Sequence, residues 1–455
     1  GELNTDGSDN SFFGQATGSK NSTGYDNSFF GRVAGFNNTT GSGNSFFGRA
    51  SGLSNTTGYS NIAIGKNALY MNTVGHNLVA IGDSALYNQG EDVLERFGNT
   101  AVGSKAGFSN TTGYENSFFG TMAGYLNNTG QSNSFFGYAS GYNHSSNPQN
   151  SFFGAYSGFS NEYGALNSFF GALAGYSNVS GNQNSFFGKS SGTRNYSGLN
   201  NSFFGTFGGY NNINGSSNSC FGISAGSNNL SGDNNTHIGA GTGPADTLTD
   251  FDNATTLGYG TTTTASNQVR IGNTSVTSIA GQVGFSTYSD ARFKSNISEK
   301  VKGLEFILKL RPVTYRYDVE KENAYLGKHE ESSWNGKYEV ENILFSGFLA
   351  QEVEEAAKSA GYEFSGIDAP KNKKDFYSLR YAEFVVPLVK AVQEQQQLIE
   401  ALRAQHATMQ LTIDTLAEEN MELKTIRANL KAIQAMLNIN PDAQSFSSVV
   451  DKPLK

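Results

Sequence analysis

The sequence predicts a mainly β protein: a solenoid of 17-residue coils, then a small α+β module, then a C-terminal coiled coil. Three observations predict it. A five-residue string, Asn-Ser-Phe-Phe-Gly, returns at a fixed interval through the first 275 residues, the composition changes near residue 280, and apolar residues recur in three/four steps beyond Pro387. Of 55 glycines, 47 lie in residues 1–275 with 25 of the 34 phenylalanines, whereas only 9 of the 31 Lys/Arg and 14 of the 39 Asp/Glu do. High Gly and Asn can signal disorder, but this segment is too aromatic and too periodic for that.

The string places its glycine at 14, 31, 48, 120, 137, 154, 171, 188 and 205, and variants such as Asn61-Ile-Ala-Ile-Gly65 and Asn218-Ser-Cys-Phe-Gly222 fill the gaps. Four residues are inserted between Gly82 and Gly103, and the period frays after Gly239. Seventeen residues with two glycine punctuations suit one coil of a β-solenoid. The residue before each anchor glycine is always apolar (Phe13, Phe30, Phe47, Ile64, Ile81, Val102, on to Ile238, Leu257 and Ile271), and we expect that column to point inward. A second glycine follows ten residues after the anchor, with Asn147 as the exception, which predicts a left-handed turn in every coil.

Two further columns carry information. Where the residue two before the anchor is Phe, the residue four after it is Gly, as in Phe12 with Gly18; where Ala63 and Ala80 replace the Phe, Leu69 and Leu86 replace the Gly. Such compensation predicts that the two positions share one volume, though Ala101 with Gly107 breaks the rule. Five residues after the anchor stands an aromatic column that includes Tyr70, Tyr87, Tyr125, Tyr142, Tyr176 and Tyr210. At a coil spacing of about 4.8 Å it would be a ladder of rings. It reads first as packing between coils or subunits and second as a face on which a cell-surface glycan stacks.

Composition narrows the function classes. A formal net charge of −8 without a basic stripe argues against nucleic acid, and no apolar run approaches a membrane span. Cys220 stands alone, so no intrachain disulfide framework is expected, and no metal site or cofactor is. The Asn-x-Thr sequons at Asn38, Asn55 and Asn110 fall at repeat turns and read as turn residues. Gly239-Ala-Gly-Thr-Gly243 is similar to a phosphate loop but lacks the following Lys and reads as a turn. The loop Asn88–Phe97, near Asp83 and carrying Glu91, Asp92 and Glu95, is the one place in the solenoid where carboxylates cluster. The Asn-x-Ala-x-Gly forms resemble the left-handed β-roll repeats of trimeric autotransporter adhesin heads, and the Asn-Thr-Thr-Gly connections resemble repeats of phage tail fibres.

From Ser289 the sequence changes character. A helix is expected from Glu299 to Leu310, a strand through Val313, Tyr315 and Tyr317, a polar insertion around Lys328–Lys337, a strand around Ile343–Leu349, and a helix from Gln351 to Ala360. Ser289-Asp-Ala-Arg-Phe-Lys294, Leu308-Lys-Leu-Arg-Pro-Val-Thr-Tyr315, Gly347-Phe-Leu-Ala-Gln-Glu-Val353 and Tyr381…Val386-Pro-Leu-Val-Lys-Ala-Val-Gln393 follow one another in that order. Over about residues 289–400 this resembles the endosialidase-type intramolecular chaperones, self-cleaving C-terminal domains of phage tail spikes and fibres that also occur on bacterial surface proteins. The resemblance implies a homotrimer and a single-turnover cut between Tyr288 and Ser289. Ser289 would be the nucleophile, Lys294 its base and Asp290 a supporting group. Many members carry a His just before the Gly-Phe-x-Ala-Gln segment, where Phe345 and Ser346 stand here. If that His assists the cut, this copy is slow or uncut and keeps a permanent cap.

Beyond Pro387, Leu388, Val392, Ile399, Leu402, Met409, Ile413, Leu416 and Leu423 follow coiled-coil spacing, with His406 and Asn420 at core positions that would set register. The boundaries read as a solenoid over 1–275, a linker over 276–288, a chaperone domain over 289–385, a trimeric coiled coil over 386–440 and a tail over 441–455. The function expected is an extracellular trimeric fibre of a virion, injection system or cell surface, structural or receptor-binding, joined to a fibre base or upstream attachment protein. The alternative is a glycan-degrading tail spike, which needs paired carboxylates. An ice-binding solenoid is disfavoured because the threonines form no flat two-row array.

Overall fold

A computed structural model describes residues 1–90, 97–327, 334 and 336–437. Its contacts divide the chain into two compact units. The first comprises Gly1–Phe285, Thr314–Phe345 and Pro370–Phe376, and the second Ser286–Val313, Ser346–Ala369 and the chain from Tyr377 onward.

The first unit is a β-solenoid. Among the described residues, each coil supplies a short strand to one 16-stranded sheet whose order follows the sequence from Ser11–Phe13 to Val269–Ile271. Pairing is parallel and in register, Ser28 with Ser45 and Phe29 with Phe46, so every side chain meets its repeat equivalent in the coil above. The four inserted residues leave register intact, because Val79 pairs with Thr100 across them. Successive residues of a strand face opposite ways, and that parity decides the core. The middle residue points in: Phe29, Phe46, Phe118, Phe135, Phe152, Phe169 and Phe186 are fully buried, with neighbouring rings such as Phe152 and Phe169 at 4.8 Å. The column before the anchor glycine therefore points outward, contrary to the expectation. Phe30 and Phe47 are each 38% exposed and Ile64 42%, and the rings stack along the outside, as Phe136 on Phe153 at 4.6 Å.

The shared volume is visible at atomic distance. A Cβ on Gly35 would lie 2.5 Å from the Phe29 ring, and one on Gly141 2.6 Å from Phe135. Leu69 and Leu86, the replacements, are fully buried beside Ala63 and Ala80. The odd copy also has its account: a Cβ on Gly107 would meet Phe118 of the next coil at 2.6 Å and Leu86 of the preceding one at 2.9 Å. Neighbouring coils thus fill the space that Ala101 leaves.

The second glycine column is explained by crowding and not by handedness. Gly41 is absent from the residues with positive φ, which in that coil are Gly31, Val33, Gly35 and Gly43. A Cβ on Gly41 would sit 2.4 Å from both Asn38 Oδ1 and the Gly58 carbonyl oxygen. Asn38 belongs to a buried ladder: its Nδ2 donates to Asn21 Oδ1 at 2.7 Å and to the Gly41 carbonyl at 2.9 Å. A second ladder runs through the first Asn of each string, where Asn44 Nδ2 donates to the Gly58 carbonyl at 2.8 Å. Both satisfy backbone carbonyls that the coil turns would otherwise bury unpaired. The sequon residues Asn38, Asn55 and Asn110 are fully buried rungs, closed to glycan attachment as folded and not merely turn residues.

One rung is a histidine. His144 Nδ1 meets Asn127 Oδ1 at 2.9 Å and its Nε2 meets Asn150 Nδ2 at 3.1 Å, and Asn147 stands at the paired glycine position. Burial holds its pKa down, at about 3 against an ordinary 6.5. The unfolded chain therefore takes up a proton near pH 6.5 that the fold refuses, so this contribution is complete above that pH and is lost as pH falls towards 3. Restoring the common pair with His144→Asn and Asn147→Gly should reduce acid lability by on the order of 2 kcal/mol per chain between pH 6.5 and 4.5. Denaturation midpoints of parent and variant at several pH values check this, and parallel curves would refute it.

The second unit packs a small core of Phe306, Val353, Ala356, Ala357, Ala360, Phe364 and Phe384. The first expected helix is shorter than the apolar pattern suggested, only Leu304–Ile307, because the chain enters it through Gly303 at φ −98°, ψ −105°. The helix Ala350–Ser359 is close to expectation, and the strands expected near Val313 and Phe345 are three residues each. One helix runs from Val385 to Met436, with Pro387 in its first turn. Leu402, Met409, Leu416 and Leu423 on it are 56–63% exposed in the single chain. No described helix is long and apolar enough to cross a membrane. Most of the polar insertion (328–333 and 335) and the tail 441–455 lie outside the described residues.

Candidate active site

Ser289 and Lys294 stand five residues apart, a spacing that by itself brings nothing together. A turn does so. Asp290 caps the short 3₁₀ helix Ala291–Phe293, its carboxylate accepting from the Arg292 amide, and the chain leaves through Lys294 in extended conformation. The Lys294 amide closes the turn by donating to the Ala291 carbonyl at 3.1 Å. Ser289 and Lys294 side chains then lie side by side, with Lys294 Nζ donating to Ser289 Oγ at 2.7 Å. Asp290 is not directed at either group: Arg292 Nε donates to its Oδ1 at 3.1 Å and its Oδ2 at 3.0 Å, and Nη2 donates to Oδ2 at 2.6 Å. That pair holds the Asp290 carboxyl below the usual range. The described contacts of Asp290 thus lie within the turn.

A serine hydroxyl becomes a nucleophile when a neutral amine within hydrogen-bond reach takes its proton. The geometry meets the distance requirement. Tyr288, which carries the adjoining carbonyl, is fully exposed, and Ser289 and Lys294 are exposed as well. At the position of the family histidine, Phe345 packs its ring against Tyr315 at 5.8 Å and Tyr317 at 5.2 Å. Those neighbours are tyrosines, with no imidazole among them.

The tyrosine column forms an unbroken ladder from Tyr70 through Tyr87, Phe108, Tyr125, Tyr142 and Phe159 to Tyr176, with ring centroids 4.9–5.2 Å apart. Thr193 interrupts it before Tyr210. Its members are half-buried. Of the carboxylates near the insertion, Asp83 is exposed, and Glu91, Asp92 and Glu95 lie outside the described residues. A groove of about 660 Å³ beside the insertion is lined by Met71, Thr73, Asn88, Ser109, Thr111 and Leu126 among others, with no carboxylate among its described lining residues. Among the described residues no cluster of His, Cys, Asp or Glu could hold a metal ion.

Sequence reasoning missed the asparagine ladders, although the signal was present in two asparagines that recur in nearly every coil, the first letter of the string and the position seven after its glycine. Residues 289–362 match the family model described as chaperone of endosialidase. The match begins at Ser289, includes Lys294 and ends before the long helix. No curated protein and no solved structure matches the chain.

Proposed function

We propose that this chain, a β-solenoid followed by a chaperone-of-endosialidase domain, is one subunit of an extracellular homotrimeric fibre that its C-terminal part assembles, the peptide bond between the two then being cut. The observation that carries the reading is the outward apolar column. It runs from Phe13 to Ile271 through all 16 strands, with an apolar residue at every level. At about 4.8 Å per coil the stripe is on the order of 70 Å long, too continuous an apolar face to leave in water. A partner that covers every rung must share the coil spacing, and another copy of the chain does so by construction. The long helix adds a second stripe that only other helices would cover.

Parallel pairing of distant residues in three chains is slow and exposes sheet edges along the way. A coiled coil that gathers the chains first supplies the missing local concentration. Self-cleavage follows from the same picture. Lys294 lies in solvent in the single chain, and neighbouring subunits would take it out of water, favouring the neutral amine. Ser289 Oγ then attacks the Tyr288 carbonyl carbon as its proton passes to Lys294. The peptide C–N bond breaks, the freed Ser289 amine takes up a proton, and water hydrolyses the resulting ester to a Tyr288 carboxylate and the Ser289 hydroxyl. Once the peptide bond to the seed is cut, a fibre that unfolds cannot reassemble, which makes its stability kinetic.

Light scattering should find the full chain trimeric. A chain ending at residue 379 should be aggregated or monomeric, and an intact trimer from residues 1–288 expressed alone would reject the chaperone role. Phe136→Asp and Phe170→Asp, on the outward column, should each cost assembly and not the strand itself; a trimer as stable as the parent would remove the proposed interface.

A further inference from the structure

Near its C-terminal end the solenoid's interior column loses its phenylalanines. In register above Phe203 stand Cys220, His237, Thr256 and Arg270. His237 meets Thr256 Oγ1 at 2.8 Å through Nδ1. Arg270, in the last strand, puts a guanidinium where most coils put a phenylalanine ring, and it is only 20% exposed. A core column that ends in a largely covered cation calls for a matching anion.

The chain supplies one from far along the sequence. Asp375, 6% exposed, lies 3.8 Å from Arg270 Nη2. Thr264 Oγ1 donates to Asp375 Oδ1 at 2.7 Å, and Arg270 Nη2 donates to Thr264 Oγ1 at 2.9 Å. The Arg270 guanidinium also lies over the Phe376 ring, 4.3 Å from its centroid. Asn372 Nδ2 donates to the Thr264 carbonyl at 2.8 Å, and Lys374 pairs with Asp246. The 370–376 loop is shaped for this. Asn372 Oδ1 accepts from the amides of Lys374 and Asp375, the Lys371 amide donates to Asp375 Oδ2 at 3.1 Å, and Tyr325 Oη donates to the Lys373 and Asp375 carbonyls. Further contacts join Thr274 to Asn323 and the Tyr259 ring to Trp334.

All these groups belong to the solenoid's compact unit, yet 314–345 and 370–376 follow the Tyr288–Ser289 bond in sequence. We infer that the 370–376 loop is a latch that plugs the solenoid's open end and keeps the C-terminal fragment bound, without a covalent link, after the chain is cut. The inference deepens the proposed function, on whose cut it rests for its biological occasion. The partner is the protein's own downstream fragment, recognised by an anion and a carboxamide presented to Arg270 and Thr264. Retention keeps the Arg270 end of the core column capped.

The test separates the latch from the chemistry. In the full-length Ser289→Ala chain, a protease recognition sequence replaces residues 281–287, where Val283 and Phe285 are 85% and 93% exposed. After digestion at physiological salt, denaturing gels should show two fragments and size-exclusion chromatography one species. Adding Asp375→Ala and Asn372→Ala, which remove the carboxylate facing Arg270 and the loop's bond to the Thr264 carbonyl, should speed fragment release on the order of 100-fold. The undigested variant serves as the folding control and should keep the parent's circular dichroism and oligomeric state. A variant that fails this control is replaced by Asp375→Asn alone, which keeps the loop's shape and removes the charge, with faster release again expected. Separation of the parent's fragments on digestion would overturn the latch, as would variants that hold their fragments as long as the parent. Neither result bears on whether Ser289 cuts.

Discussion

Ser289→Ala is expected to leave a single 455-residue chain under conditions in which assembled parent protein separates, on a denaturing gel, into fragments of 288 and 167 residues. The effect is all-or-none because the hydroxyl supplies the bond-forming atom. Trimer formation should not change, since Ser289 is exposed and its described side-chain contact is with Lys294. Lys294→Arg should also stop the cut: a guanidinium stays protonated and cannot take the hydroxyl's proton. Asp290→Ala should slow it without abolishing it, because Asp290 holds the turn through Arg292 and touches neither reacting group. Mass spectrometry of trimers after long incubation decides. An unbroken parent chain would reject autoproteolysis in this protein, in keeping with Phe345 and Ser346 where a histidine is usual, and would leave the chaperone and its cap in place.

The second large effect is expected at the shared volume of Phe135 and Gly141. Gly141→Leu would place a Cβ 2.6 Å from the Phe135 ring, at φ +58°. Overpacking and the left-handed backbone together should cost about 2–5 kcal/mol per chain. Phe135→Ala alone should cost about 3–5 kcal/mol. It belongs at the lower end, since Phe118 and Phe152 flank the gap and rings here tilt into space, as Phe118 does at 37° to Phe135. Combining the two should recover part of the sum, a coupling of about 1–3 kcal/mol, because it recreates the Ala63–Leu69 coil. Leu69 and Leu86 already hold φ of 49° and 45°, so the fold accepts that backbone. Chemical denaturation of all four proteins measures the coupling, and strictly additive losses would show that the two positions do not share space.

The repeat length, the in-register stacking, the volume pair and the change of architecture near residue 280 were legible because each is a periodic or compositional property, and stacking by repeats makes every column a statement about one environment. The Ser289–Lys294 pair was legible only through family resemblance, since a five-residue spacing carries no geometry until Asp290 and Arg292 close the turn. The asparagine ladders went unread because Asn is also a turn former, and one letter serves both roles. The helix expected from Glu299 contracted to Leu304–Ile307 because apolar spacing does not register how the chain passes through Gly303.

What the sequence determined by itself is therefore the solenoid, its 17-residue period and the position of the chaperone-like module, all consequences of residues that recur or follow one another in a fixed order. What only the tertiary structure decided is which way each column faces and which distant segments meet. Two adjacent phenylalanines per coil are equally apolar, and strand parity, set by how the coil closes, sends one into the core and the other to the surface. Likewise nothing in the run of residues from Thr264 to Asp375 announces that Arg270 ends the core column and Asp375 answers it. Separations of more than a hundred residues are bridged by the fold, where burial makes an unpaired charge too costly to leave alone.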